Sequence, residues 1–241
     1  MDTKSLKTSW KQRLLIIIIA VIMLGSVIVG YALIIAGGNK GSATQNGKID
    51  QAKVEQYAAE YQAIEAEFAD AAKPDFDRFI GHKNLITAYN EGTANTSGIQ
   101  TEDIEIGSGA EITDDDKNYL AYYVGWCADE SIFDSSFNDK SNPTKFTKIL
   151  DASAGMIEGW NLGVTGMHRD GIRIVTIPGE LAYGESMEIC GGKNKPLKFM
   201  IMAKAKEGPL ADLYTRLDTA FLRLQYAQYG IDYDSLTVPA K

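Results

Sequence analysis

The stretch that decides the fold covers residues 156–184 and reads MIEGWNLGVTGMHRDGIRIVTIPGELAYG. Its opening apolar turn and Trp160 are placed like the start of a short helix. After a glycine-bearing turn, residues 171–178 alternate in strand fashion, and the stretch ends in a polar loop that carries Tyr183. A helix, a strand and an aromatic residue at the mouth of the strand predict a small sheet with a pocket floored by a tryptophan.

Further motifs flank this stretch: AYYVGW at 121–126, IFDSSF at 132–137 and PLKFMIMA at 196–203. In this order and at this spacing, residues 98–206 resemble the FKBP-type peptidyl-prolyl cis-trans isomerases. Several strands with one short helix and no alternation of strand and helix indicate an α+β fold. The resemblance implies an antiparallel sheet curled around the short helix.

The resemblance also implies the site. It assigns catalytic roles to six residues: Tyr123, Phe133, Asp134, Trp160, Tyr183 and Phe199. It assigns substrate binding to Phe146, Met156 and Ile157, with the backbone of Ile157 contacting a substrate carbonyl. Without the resemblance, most of these bulky residues would be assigned to the core, because aromatic residues in small sheets usually lie there.

No other catalytic chemistry is indicated. His82 and His168 lie apart from any cluster with metal-ligand spacing, so we expect no metal and no cofactor. Ser135 and Ser136 have no evident base, which argues against nucleophilic catalysis. An apolar pocket that binds the twisted X–Pro amide better than either planar isomer needs neither kind of group.

The sequence departs from the family pattern in two places. Thr144 stands where many members have an aromatic residue, and the flap at 184–197 is short and lacks the usual Ile-Pro-Pro run. Two functions therefore stay open. The first is a prolyl isomerase that acts on proline-containing polypeptides, and the second is a non-catalytic peptide-binding or chaperone module of the same fold.

Residues 14–36 form an uncharged apolar stretch of 23 residues. As a helix it would measure about 35 Å, enough to cross a bilayer core. Lys4, Lys7, Lys11 and Arg13 precede it, which predicts a cytoplasmic N-terminus at 1–13 and an extracytoplasmic catalytic domain in a single-pass membrane protein. A cleaved signal peptide is the alternative, and AGGNKGSAT at 36–44 offers only a poor cleavage site.

The rest of the chain is characterised by its charge and its helical periodicity. The whole chain has 24 Lys+Arg and 32 Asp+Glu, and five of these charged residues precede the apolar stretch. The part after the apolar stretch therefore has a net charge of −11, which argues against nucleic-acid binding. Residues 37–49 read as a flexible linker, 50–97 as a helical stalk and connector, and 207–241 as a helix and tail. We predict that helices at 50–72 and 210–229 pack together.

The only two cysteines are Cys127 and Cys190. Both lie in the domain that we place in an oxidising compartment, and the resemblance puts them in neighbouring loops. We therefore predict a disulfide that ties the flap to the end of the strand containing Tyr123. Two buried free thiols are the alternative.

Overall fold

The computed structural model describes residues 49–237. The strands are β1 (Gln100–Glu105), β2 (Tyr119–Trp126), β3 (Ile132–Ser135), β4 (Leu150–Asp151), β5 (Ile172–Ile177) and β6 (Leu197–Ala205). The helices are α1 (Gln51–Ala71), α2 (Lys73–Ile80), α3 (Glu91–Thr96), α4 (Glu158–Val164), α5 (Pro209–Ala227) and α6 (Tyr233–Thr237). Short 3-10 helices cover Lys83–Leu85, Ala152–Ala154 and Gly179–Leu181.

The strands form one antiparallel sheet in the order β1-β5-β6-β2-β3, with β4 paired to the start of β2. Every residue of β2 and of β5 is buried. Side chains alternate between the two faces of a strand, so these strands face a separate core on each side. The α+β antiparallel sheet with helices confirms the predicted fold class for this part of the chain.

Helix α4 covers the first face, which we call the site face. It approaches the sheet closely because it carries glycine where it meets β5. A Cβ at Gly159 would lie 2.2 Å from Ile177 Cγ2, and one at Gly163 would lie 2.2 Å from Val175 Cγ1. The helix begins at Glu158, two residues later than the predicted start at Met156.

Helices α1, α2 and α5 cover the opposite face, which we call the back face. Phe68 and Phe79, fully buried, and Leu217 pack there against Tyr122 and Met202 of the sheet. Asp50 caps the N-terminus of α1, since its side chain accepts from the N–H groups of Ala52 and Lys53.

The predicted pairing of α1 with α5 is also present. Arg216 pairs with Glu67 at 2.8 Å and Arg223 with Glu60 at 3.1 Å, in antiparallel register. The ring of Tyr61 in α1 also contacts the ring of Phe221 in α5. The helix pair is not separate from the sheet. The half of the pair that lies nearer the sheet packs against its back face.

An ion-pair cluster fastens α2 to the edge strand β1. Glu105 accepts from Arg78 Nε at 2.6 Å and lies 2.5 Å from His82 Nε2. Burial raises the pKa of Glu105, but the hydrogen bonds from His82 and Arg78 outweigh burial and hold the pKa below its usual value of 4.5. The carboxylate therefore stabilises the contact in its ionised form.

The segment between β3 and α4 is mostly irregular. Extended pairing around Phe146 occurs only at Leu150–Asp151 and as a single bridge between Phe146 and Phe137. The predicted cytoplasmic segment 1–13, the apolar segment 14–36 and all but the last residue of the linker lie outside the described residues. Within residues 49–237, no helix combines the length and the apolar character needed to cross a bilayer.

Candidate active site

Four aromatic side chains meet on the site face, and we call this group the aromatic site: Tyr123, Phe133, Trp160 and Phe199. Trp160 meets Phe199 edge-on at 5.3 Å between ring centroids and Tyr123 at 5.7 Å. Phe133 meets Phe199 at 5.5 Å with the planes perpendicular. Perpendicular contacts of this kind stabilise aromatic clusters beyond simple burial. The sequence prediction brought these four residues together correctly.

The floor of the aromatic site is fixed by a buried hydrogen bond. Trp160 Nε1 donates to the hydroxyl of Tyr119 at 3.0 Å. Burial raises the pKa of Tyr119 to about 12, so its hydroxyl stays neutral at physiological pH. This partner of Trp160 was not found from the sequence, because Tyr119 reads only as the first residue of an aromatic strand.

Gly125 gives the walls of the aromatic site their room. A Cβ at this position would lie 2.5 Å from Phe133 Cζ and 2.8 Å from Phe199 Cε1. Both distances are far below van der Waals contact, so any side chain at position 125 would displace the two rings. In the sequence, Gly125 appears only as one residue of the AYYVGW motif.

Asp134 lies beside the aromatic site in a fixed polar group. Its Oδ1 accepts from Lys148 Nζ at 2.6 Å and from the Ser135 N–H at 2.9 Å, and its Oδ2 accepts from the Tyr123 hydroxyl. Burial first, and the Asp134 charge second, raise the pKa of Tyr123 well above its usual value. Tyr123 is therefore a neutral donor that holds the carboxylate in place.

Lys148 is a second residue that sequence reasoning missed. Besides pairing with Asp134, its ammonium lies 5.4 Å from the centroid of the Tyr123 ring, within the range of a cation–π contact. Lys148 lies in the irregular stretch before β4. No motif or spacing in the sequence links it to Asp134.

Two hydrogen-bond donors beside the aromatic site are free. Among residues 49–237, neither the backbone N–H of Ile157 nor the hydroxyl of Tyr183 takes part in a hydrogen bond. Both residues, together with Met156, pack against the aromatic core of the site face. Burial first, and the Asp134 charge second, raise the pKa of Tyr183, so its hydroxyl remains a donor.

Phe146 does not belong to this site, which corrects the prediction from the resemblance. Its side chain is fully buried in the back-face core, stacked on Tyr122 at 4.1 Å and edge-on to Phe76 at 5.3 Å. The sheet therefore separates Phe146 from Trp160. Phe76 and Phe79 of α2, which precedes the domain, supply two of its aromatic partners, and an aromatic residue in an irregular stretch gives no sequence signal of which face it joins.

The predicted disulfide is present. Cys127, directly after β2, is bonded to Cys190 in the flap. Ile189 and Cys190 also pack against the site-face core, so the flap residues around the disulfide lie over the same core as the aromatic site. The bridge thus joins the flap to the strand that carries Tyr123.

The two serines of the FDSS segment accept hydrogen bonds from backbone N–H groups. Ser136 Oγ accepts from the Tyr123 N–H at 3.1 Å, and Ser135 Oγ accepts from the Phe137 N–H at 3.3 Å. Both serines are buried.

In the part of the chain that the structure describes, no group of three or more His, Cys, Asp or Glu side chains is arranged to hold a metal ion. The site offers an apolar surface, two free donors and one fixed carboxylate.

Comparison with known proteins gives consistent matches. The family model of the FKBP-type peptidyl-prolyl cis-trans isomerase matches residues 109–204. An FK506-binding protein of Neisseria meningitidis serogroup B is 36% identical over 87 residues, covering 36% of this chain and 75% of that protein. FK506-binding protein 4 of Dictyostelium discoideum is 38% identical over 90 residues, covering 37% of this chain and 23% of that protein. The crystal structure of AtFKBP13 is 32% identical, covering 45% of this chain and 92% of that chain, with a TM-score of 0.33.

The chain belongs to the FKBP-type peptidyl-prolyl cis-trans isomerase family, since it matches three quarters of the Neisseria protein at 36% identity. The matched segment is a peptidyl-prolyl cis-trans isomerase domain. The chain spans under a quarter of the length of the Dictyostelium protein. The shared region is therefore the domain around the aromatic site.

Proposed function

We propose that this chain accelerates cis/trans exchange at X–Pro bonds of polypeptides outside the cytoplasm, and that residues 14–36 anchor it in a membrane. The observation that carries the catalytic part is the pair of free donors, the Ile157 N–H and the Tyr183 hydroxyl, beside the aromatic site. A peptide carbonyl offers the acceptor that both donors lack.

The reaction suits a site without acid–base chemistry. Rotation about an X–Pro bond must break the amide resonance, which creates a barrier of about 18–20 kcal/mol and makes the uncatalysed exchange take tens of seconds or more. The twisted amide has less charge separation than the planar one. An apolar surface that excludes water therefore favours the twisted form relative to solution.

Each part of the site has a distinct task in this proposal. Trp160 and Phe199 receive the proline ring, and the Ile157 N–H and the Tyr183 hydroxyl hold carbonyl oxygens on either side of the bond. Asp134 is held by Lys148 and the Tyr123 hydroxyl, so it faces the substrate without reorganising. A preorganised site accelerates the reaction by binding the transition state more tightly than the ground state.

A protease-independent exchange assay on several X–Pro peptides tests the activity. We expect acceleration by the folded, oxidised chain. Tyr183→Phe should lower kcat/KM by up to about tenfold, the value of one neutral hydrogen bond. Tyr229→Phe is the matched control, because Tyr229 is 65% exposed and far along the chain from the site-face residues.

Failure of the folded wild-type chain to accelerate exchange in any of these peptides would remove the isomerase proposal. The alternative, a non-catalytic peptide-binding module, would then be tested by binding of the same peptides. The short flap favours this alternative, because it leaves less chain to overhang a substrate.

Support for the location comes from two independent features. Residues 14–36 are long and apolar enough to span a bilayer and follow a basic segment. The disulfide is typical of proteins in an oxidising compartment. A reporter fused after Lys241 that is active only outside the cytoplasm should be active, whereas activity of a cytoplasm-only reporter at the same position would overturn the topology.

A further inference from the structure

The side chain of Asn95 contacts the turn that precedes the flap and the far end of the flap. Asn95 lies in α3, which precedes the segment matched by the family model. Its Oδ1 accepts from the Gly179 N–H at 2.8 Å, and its Nδ2 donates to the Asn194 carbonyl at 3.4 Å. Gly179 begins the turn that leads to Tyr183, and Asn194 lies near the other end of the flap.

These two bonds close a ring. The Gly179 carbonyl accepts from the Gly184 N–H at 2.8 Å, and the Gly184 carbonyl accepts from the Asn194 N–H at 2.7 Å. Four residues thus form a cycle of four hydrogen bonds, in which only Asn95 contributes a side chain. We call this cycle the flap-base ring; it consists of Asn95, Gly179, Gly184 and Asn194.

The flap-base ring leaves little room for movement. A Cβ at Gly179 would lie 2.1 Å from the Asn194 carbonyl oxygen, so this carbonyl packs directly on the Gly179 backbone. Neighbouring contacts hold the same parts together. Glu91 of α3 pairs with Lys195 at 2.6 Å, and the Tyr89 hydroxyl donates to the Pro196 carbonyl at 2.9 Å.

We propose that Asn95 is a positioning residue of the active site: by closing the flap-base ring, it fixes the turn that presents the Tyr183 hydroxyl to the substrate. Tyr183 is the residue next to Gly184 in the ring, so its backbone is held through Gly184. The inference rests on the proposed isomerase function. It makes α3, outside the matched segment, a part of the catalytic unit.

The test combines Asn95→Ala with Tyr183→Phe in the full chain in detergent micelles. If Asn95 acts through the Tyr183 hydroxyl, Asn95→Ala should lower kcat/KM about fivefold in the wild-type background and less than about twofold in the Tyr183→Phe background, because coupled sites are not additive. The loss should appear mainly in KM, since a carbonyl hydrogen bond holds both planar and twisted substrate. Asn95→Asp, which keeps the Oδ1 acceptor, should restore part of the loss.

Thr96→Ala is the matched control. It removes a neighbouring α3 side chain whose hydroxyl bonds only within the helix, and it should leave kcat/KM unchanged. A fivefold loss that persists in the Tyr183→Phe background, or an equal loss in Thr96→Ala, would overturn the proposal. Either result would mean that Asn95 only stabilises α3.

Amide hydrogen exchange of residues 184–195 gives a readout that does not depend on activity. We expect Asn95→Ala to raise exchange in this segment about tenfold, as expected for loss of two neutral hydrogen bonds, with no change in Thr96→Ala. Unchanged exchange in Asn95→Ala would overturn the proposal even if the wild-type chain is an active isomerase. If the wild-type chain has no activity, the proposed function fails separately, and raised exchange would still support the role of Asn95 in holding the flap.

Discussion

Reduction of the Cys127–Cys190 disulfide should lower the free energy of unfolding by about 4 kcal/mol. The two cysteines are 63 residues apart in sequence, and in the chain-entropy model a closed loop of that length restricts the unfolded chain by roughly this amount. The loop contains β3, β4, α4 and β5. The constraint therefore acts on most of the domain and not only on the flap.

The same reduction should change activity little. The flap-base ring holds both ends of the flap without help from the disulfide, and Trp160, Phe199 and Ile157 lie outside the flap. We expect kcat/KM of the folded, reduced chain to stay within about threefold of the oxidised value, equivalent to about 0.7 kcal/mol. Stability and activity should thus respond differently to one chemical change.

Urea unfolding of the oxidised and reduced chain, followed by tryptophan fluorescence, measures the stability difference by linear extrapolation. The Cys127→Ala/Cys190→Ala variant is the control, and its midpoint should not respond to the reductant. Exchange of an X–Pro peptide is measured under the same buffer conditions below the unfolding transition. Both readouts then come from the same two samples.

A stability difference below about 1 kcal/mol would refute the loop-closure reasoning, because the unfolded chain would then already be restricted by other contacts. Loss of most activity in a chain that is still folded after reduction would refute the second part. It would show that the disulfide, and not the flap-base ring, holds the catalytic geometry.

Three further predictions concern single side chains. Phe199→Ala should abolish most exchange activity and cost about 3–5 kcal/mol of stability in urea unfolding, since Phe199 is 4% exposed and contacts both Trp160 and Phe133; a folded variant with full activity would contradict its role. Lys148→Met should lower the free energy of unfolding in urea by about 1–3 kcal/mol, because it leaves the Asp134 carboxylate without its cation. Lys148→Arg should recover part of this loss. Glu105→Gln should lower the urea midpoint at pH 7, and the difference from wild type should shrink as the pH falls through the depressed pKa of Glu105, because a carboxylate with a lowered pKa stabilises the fold only while ionised.

The sheet and its order of motifs were predictable because they rest on local patterns. Alternation in β5 and the aromatic run of β2 each place a strand, and the glycines of the 156–184 stretch mark the helix that packs on them. What the sequence did not provide is the side of the sheet that each additional element covers. Residues of α1 and α5 show helical periodicity, but a periodic apolar face fits the other helix and the back of the sheet equally well. In the structure it contacts both.

The same distinction between regular and irregular segments separates the site residues that could be predicted from those that could not. The resemblance predicted Tyr123, Trp160 and Phe199 as site residues, and it placed them correctly because each lies at a fixed position in a regular element. Lys148 was not, since its contact with Asp134 depends on the path of an irregular segment. Phe146 was assigned to the wrong face for the same reason: the irregular stretch turns its ring toward α2, whose Phe76 and Phe79 surround it.

The flap-base ring shows why such contacts leave no mark in a sequence. Three of its four hydrogen bonds use backbone groups of Gly179, Gly184 or Asn194 as donors, and any residue carries a backbone amide except proline. The one side chain, Asn95, is 84 residues from Gly179 and 99 from Asn194. Its neighbours in α3 are ordinary helix and turn residues. The ring exists only because α3, the Gly179 turn and the end of the flap meet at one place in the fold. A domain cut from this chain at the borders of its family motif would therefore keep the aromatic site but lose the side chain that closes the ring beneath Tyr183.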